Sequence, residues 1–351
     1  MITTHEVRSA DSRNLSFLAD QSIQLIVTSP PYPMIEMWDD TFQTQSPYVK
    51  KHLAEQEFEK AFEEMHLLLD AVWRECDRVL SDNGFICINI GDATRTWNDS
   101  FRLFPNHARI ISAFLHMGYT VLPDILWRKP SNAPNKFMGS GMYPAGAYVT
   151  YEHEYILIFR KGGKRTFSGE KRQLRQQSAY FWEERNTWFS DIWEVRGTSQ
   201  LISGTHSARS RNASFPFSVP YRLVNMYSVK GDMVLDPFCG LGTTTLACMA
   251  SERSSIGVDI SPEIIQLAEE TISGQSRSLN SVIDNRLASH AAFIDSLRED
   301  QLQKCYQNIP HGFWVKTRQE TALQIKGISQ INHKGGHFIC HYSDIPNTSK
   351  Q

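Results

Sequence analysis

"DMVLDPFCGLGTTTLACMA", residues Asp232 to Ala250, decides the fold. The apolar run at Val234 and Leu235 reads as a buried strand, Gly240 and Gly242 as a sharp turn, and the segment from Thr243 as a helix. "SSIGVDIS" (Ser254 to Ser261) is the next strand, and "PEIIQLAEETI" (Pro262 to Ile272) a helix with proline in its first turn. Strand, glycine turn, helix and strand form the unit of a Rossmann-like α/β domain. Asp259 ends the second strand 17 residues beyond Gly242, where such folds place a carboxylate that accepts ribose hydroxyls. An adenosine-containing cofactor is expected.

No lysine follows the glycines, which argues against a triphosphate-cradling loop, and the third glycine of the dinucleotide fingerprint is missing. Asp236, on the strand's last residue, would repel a pyrophosphate but suit an ammonium or sulfonium group. That chemistry favours S-adenosylmethionine over NAD or ATP. Asp236, Pro237, Phe238, Gly240, Gly242, Thr243 and Asp259 are the candidate cofactor residues.

Far upstream, "IQLIVTSPPYP" (Ile23 to Pro33) is a second core strand that runs into Ser29, Pro30, Pro31 and Tyr32. Two prolines stiffen the backbone and remove two amide donors, which leaves the Ser29 and Pro30 carbonyls free to face a ligand. Tyr32 adds a flat aromatic face. Such a loop suits a planar amine, with acceptors for its N–H groups and a ring to stack on the base.

Between these landmarks, Leu53 to Leu80 has helical spacing with an acidic outer face, which is expected to be a back surface. "FICINIGD" (Phe85 to Asp92) reads as a strand and His107 to Met117 as a helix; "YTVLPDILWRK" and "HEYILIFRK" are strand-like. "RKGGKRTFSGEKRQLR", from Arg160, carries seven basic residues and one acidic residue, followed by aromatics from Tyr180 to Trp193. Weak periodicity makes 161–213 a loop-rich insertion, whose Lys161, Lys164, Arg165, Lys171, Arg172 and Arg175 are candidate phosphate contacts. Beyond Gly274 a helix is expected around Ala288 to Gln307, then a hairpin turning at Gly335-Gly336. The expected division is 1–160 with the proline-stiffened loop, the insertion 161–213, 214–274 with the glycine turn, and 275–351, an extension without an assigned role.

The chain has 351 residues, a formal charge of -2 and 41% hydrophobic residues, so an acidic partner must be met by a local patch. Six cysteines without a CxxC pair fit reduced thiols in a cytosol. No apolar run approaches the roughly 18 residues of a membrane span, so a soluble intracellular protein with no membrane partner is expected. Cys239 reads as a small packed residue. His333, His337, Cys340 and His341 are ligand-type side chains, but a hairpin points His337 and Cys340 to opposite faces, and no metal is expected.

"TSPPY" followed much later by "DPFCGLGTTT" resembles the amino-methylating DNA methyltransferases of restriction-modification systems, in their permuted β arrangement with the catalytic loop first. The resemblance covers roughly residues 5 to 272. It implies methyl transfer from S-adenosylmethionine to an exocyclic nitrogen of a base flipped out of double-stranded DNA. It also implies a prokaryotic, nucleoid-associated cytoplasmic enzyme, monomeric or homodimeric, with a cognate restriction endonuclease as a further partner. By the same match, "NASFPFSVPYRLV" places Phe215 and Pro216 against the cofactor, and 161–213 becomes the target-recognition region. Serine at position 29, where most adenine members carry aspartate, favours N4 of cytosine; N6 of adenine is the alternative. A fold that kept DNA binding but lost catalysis, or a nucleotide-dependent oxidoreductase, are the rival readings.

Overall fold

The strand Met233–Asp236 lies near the middle of a ten-stranded mixed sheet, seen in a computed structural model that describes residues 1–97, 100–129, 138–139, 143–195 and 215–345. In chain order its strands are β1 (Ile2–Ser9), β2 (Ile23–Thr28), β3 (Leu80–Ile90), β4 (Thr120–Arg128), β5 (His153–Arg160), β6 (Ile192–Glu194), β7 (Met233–Asp236), β8 (Ser254–Asp259), β9 (Lys326–Lys334) and β10 (His337–Asp344). Their spatial order is β6-β4-β5-β3-β2-β7-β8-β1-β10-β9. The central β3, β2, β7, β8 and β1 run parallel. β5 is antiparallel to both β3 and β4, and the β9–β10 hairpin pairs antiparallel with β1.

Principal helices are α1 (Asp39–Gln45), α2 (Pro47–Ala54), α3 (Phe58–Val79), α4 (Asn106–His116), α5 (Gly169–Gln177), α6 (Trp182–Trp188), α7 (Ser218–Tyr227), α8 (Thr243–Met249), α9 (Pro262–Ser273) and α10 (Ser276–Asp295). Strand alternation divides the core in two. Ile26, Ile86 and Ile88 pack with Met65, Leu69 and Trp73 of α3 and with Phe114 of α4. Leu25, Val27 and Cys87 face the opposite core, with Val219 of α7, Leu246 of α8 and Ile272 of α9. The sheet is thus covered on both faces, as expected of a Rossmann-like α/β fold.

β2 and β7 are neighbours in space although the ends of the two strands, Thr28 and Asp236, are 208 positions apart. This is the switch point of the sheet, and the crevice beyond the carboxyl ends of the strands there is the place for a ligand. In the chain the Ser29–Tyr32 loop precedes the Gly240–Gly242 turn.

Three stretches of the chain differ from the sequence reading. β1 passed unrecognised because two of its inward residues, Thr3 and His5, are polar: His5 bonds Thr3 Oγ1 and Ser255 Oγ at 2.8 Å each, and burial lowers its imidazole to about 3. Residues 161–195 are more regular than a loop-rich insertion, since they contain α5, α6 and the edge strand β6. α5 buries no residue and α6 only Trp188, so neither leaves an apolar period to read. The helix expected at 288–307 is α10, displaced upstream; only Leu279, Ile283 and a histidine, His290, are buried on it. The hairpin at Gly335-Gly336 forms as expected and extends the sheet beside β1.

A buried cation fastens the C-terminal segment to the sheet. Lys230 Nζ donates to Glu252 and to the Gln324 carbonyl, and both members of the ion pair are about 5% exposed. Lys230→Ala leaves Glu252 uncompensated and is expected to lower stability by about 3–5 kcal/mol in urea denaturation.

Candidate active site

The carboxyl ends of β2, β7 and β8 open into one cavity of about 720 Å³, a size suited to a small-molecule cofactor. Its wall includes Ser29 and Pro31, then Asp236, Pro237, Phe238, Gly240 and Thr243, and Asp259 with Ile260. Phe215 lines it as well. Residues more than 200 positions apart are therefore brought to one surface.

Asp236 is buried at the centre of this wall. Oδ1 accepts the Thr28 hydroxyl at 2.6 Å and the Phe238 amide at 3.1 Å, while Oδ2 accepts the Thr244 hydroxyl at 2.6 Å. Burial nevertheless raises its carboxyl from 3.8 to about 6. Asp259 accepts the Gly240 amide at 3.2 Å on Oδ2 and the Ser261 amide at 3.0 Å on Oδ1, and burial raises it too. Gly242 does not line the cavity; with φ of +81° it caps α8, and a side chain there would collide with Ile272.

Ser29 lines the cavity, whereas Tyr32 does not. Its hydroxyl donates to Glu154 Oε2 at 2.9 Å, sits 3.2 Å from Ser29 Oγ and accepts from Asn89 Nδ2 at 2.7 Å. Gly91 packs so close that a methyl group there would lie 3.0 Å from Tyr32 Cε2. Pro30 is buried within the loop, and Pro216 turns the chain into α7, with its carbonyl accepting the Val219 amide at 2.9 Å. Cys239 is buried, and its thiol is pushed well above the usual range by burial and then by Asp236 and Asp259, the setting of a packed thiol.

Sequence reasoning missed several residues here. Asp11, Ser12 and Arg13, which follow the unrecognised β1, line the cavity, and Ser12 Oγ donates to the Pro237 carbonyl at 2.7 Å. Trp38 and Asp40, which follow the Ser29–Tyr32 loop, belong to the wall, as do Leu68, Leu69 and Val72 of α3. Their signal was spacing along a helix, which marks an apolar face without saying what covers it. Glu154 and Asn89 were legible only as parts of strands.

The basic cluster is not brought to the cavity. Arg165 pairs with both Asp232 oxygens at 2.6 and 2.7 Å, just before β7 begins, and Lys161 pairs with Asp77 at 3.1 Å. These contacts lie at the amino ends of the parallel strands, with the length of β7, about 13 Å, between them and Asp236. Arg175 lies over the Phe167 ring, 4.9 Å from its centroid, while Lys164, Lys171 and Arg172 are exposed. Cys340 is buried within the β9–β10 hairpin and His337 is exposed on it, and His333 stacks on Phe338. Among the described residues, His52, Glu55 and Glu57 have ligand atoms within 4.8 Å of one another, with Lys60 bonded to Glu57 at 2.6 Å. No helix among the described residues is long and apolar enough to cross a membrane.

The sequence profile of a family described as DNA methylase matches residues 23–270, which include most of the residues that line this cavity. The chain belongs to the amino-methylating DNA methylase family. Type II methyltransferase M.MthZI of Methanothermobacter thermautotrophicus is 46% identical over 328 residues, 93% of this chain and 91% of the relative. M.MjaI of Methanocaldococcus jannaschii, also a Type II methyltransferase, is 49% identical over 282 residues, 77% and 91% of the two chains. Among solved structures, TTHA0409 of Thermus thermophilus, complexed with S-adenosyl-L-methionine, matches with a TM-score of 0.61 and 29% identity over 77% of this chain and 95% of that one.

In this DNA methylase the buried charge of Asp236 carries a stability cost. Its raised folded pKa means that the native state binds the proton more tightly than the unfolded chain, so stability falls as pH rises from 3.8 through about 6. Asp236→Asn keeps the shape and removes the charge. At pH 7 the unliganded variant is expected to gain about 1–3 kcal/mol over wild type in thermal unfolding, and the gap closes as pH falls below 6.

Proposed function

We propose that this DNA methylase transfers the methyl group of S-adenosylmethionine to the exocyclic N4 of cytosine in duplex DNA, as the modification component of a restriction-modification system. The observation that carries the base choice is the neutral Ser29 hydroxyl at the cavity wall, where a carboxylate would mark the usual adenine arrangement.

The residues present fit the cofactor. Asp259, with its oxygens already oriented by two backbone amides, keeps lone pairs for ribose hydroxyls. Phe215, Phe238, Ile260 and Ile264 offer apolar surface for adenine. Asp11, Glu36, Asp40 and Asp236 give the wall an acidic balance against Arg13, which attracts an ammonium and a sulfonium and disfavours phosphates. When bound, S-adenosylmethionine supplies a methyl group already activated on positively charged sulfur.

Ser29 and the Pro30 carbonyl orient the substrate amine by accepting its N–H groups, and Tyr32 flanks the flipped base. Catalysis is positioning and charge dispersal; no protein nucleophile is used, in keeping with the buried, protonated Cys239. The exposed Lys164, Lys171 and Arg172, placed at the far edge of the sheet, are suited to phosphates of flanking duplex and not to the target nucleotide.

The reading is tested by incubating the protein with methyl-labelled S-adenosylmethionine and unmethylated duplex DNA, then identifying the labelled nucleoside by mass spectrometry. N4-methylcytosine is expected; N6-methyladenine would overturn the base choice and leave the cofactor and mechanism in place. In equilibrium titration, Asp259→Ala should weaken S-adenosylmethionine binding by about 10-fold or more through loss of charged hydrogen bonds, and unchanged affinity would overturn its ribose role.

A further inference from the structure

A serine hydroxyl is a weaker acceptor than a carboxylate, yet Ser29 occupies the position that must receive the amine. The structure around it resolves this. Tyr32 has one proton to give, and its hydroxyl lies 2.9 Å from Glu154 Oε2, which as a carboxylate only accepts. Burial, and then the Glu154 charge, push the Tyr32 phenol well above its usual range, so it keeps that proton and donates it. Asn89 Nδ2 lies 2.7 Å from both Tyr32 Oη and Glu154 Oε2. The reverse amide orientation would set the Asn89 oxygen against a carboxylate. With its proton committed, the Tyr32 oxygen has only acceptor capacity left, so the Ser29 hydroxyl, 3.2 Å away, must donate to it. Lys129 Nζ pairs with the other Glu154 oxygen.

We propose that Glu154 is the positioning residue of the catalytic loop. It sets the direction of a chain running from Ser29 through Tyr32 to the carboxylate, so that Ser29 turns its lone pairs to the cavity. Hydrogen bonds in such a chain polarise one another. Ser29 thereby acquires part of the negative character that an aspartate at position 29 would supply directly. The inference rests on the proposed function, in which Ser29 accepts the substrate amine.

The test is methyl transfer to duplex DNA by wild type, Glu154→Gln, Tyr32→Phe, their double variant and Ser29→Asp/Glu154→Gln. Glu154→Gln is expected to lower kcat about 10–100-fold while KM for S-adenosylmethionine changes less than about twofold, the signature of an interaction used in the transition state. In the Tyr32→Phe background the Glu154 change should add less than about twofold, because the chain is already cut. Restoring a charge with Ser29→Asp should recover at least about tenfold over Glu154→Gln. An unchanged kcat, an effect on KM alone, multiplying effects of the two single variants, or no recovery by Ser29→Asp would overturn the proposal. If Glu154→Gln does not fold, Glu154→Asp, which keeps the charge but shortens its reach, is read in the same way. The wild-type product separates the two ideas. A methylated nucleoside other than N4-methylcytosine overturns the base choice, whereas the ratio of variant to wild-type rate bears only on Glu154; no transfer by wild type overturns both.

Discussion

The structure turns on one buried carboxylate. Asp236 ends the central strand β7, and its oxygens accept hydroxyls from Thr28, at the end of β2, and from Thr244, on α8. Thr28 is 208 positions away and immediately precedes Ser29. A single side chain thus ties the proline-stiffened loop to the glycine turn and to the helix that leaves it. Taking that charge out of water is costly, and the three hydrogen bonds offset the cost only in part, as its raised pKa of about 6 shows. What the fold gains is negative charge on the wall of a cavity that must receive a cation.

The two edges of the sheet are used differently. At the carboxyl ends of the strands, polar side chains are fixed by backbone amides and hydroxyls, so their remaining lone pairs face the cavity. At the amino ends, cations hold the scaffold together: Arg165 on Asp232, Lys161 on Asp77 and Lys230 on Glu252. A basic stretch that looks like one patch along the chain is therefore divided between structural pairs and free surface. The division explains how a chain of net charge -2 carries dense basic sequence without a uniformly basic face.

Glu154 shows how a strand on the flank of the sheet reaches the Ser29–Tyr32 loop at its centre. β5 runs antiparallel to β3, so its amino end, not its carboxyl end, lies beside the catalytic loop. That reversal carries Glu154 to Tyr32 across 122 positions of sequence. The same antiparallel pairing sets Tyr155 opposite Ile90 and keeps the Asn89 amide within reach of both partners.

The strand, glycine turn and paired aspartates of 232–259 were legible because each is a local pattern: apolar runs, a turn that needs glycine, and acids at strand ends. The proline-stiffened loop at 29–32 was legible for the same reason, since proline restricts backbone wherever it stands. β1 was hidden because its core face is filled by Thr3 and His5, whose hydrogen bonds, not their hydropathy, make them fit a buried strand. α5, α6 and α10 were misread or missed because they bury too little to leave a period. By itself the sequence determined the fold class, the cofactor chemistry and the proline-stiffened loop at 29–32. Only the tertiary structure decided that Arg165 is a clamp, that Asp11 to Arg13 join the cavity, and that Ser29 is backed by Glu154. Ion pairs and hydrogen-bond chains depend on ångström distances between segments that are remote in the chain, and no local pattern encodes those distances.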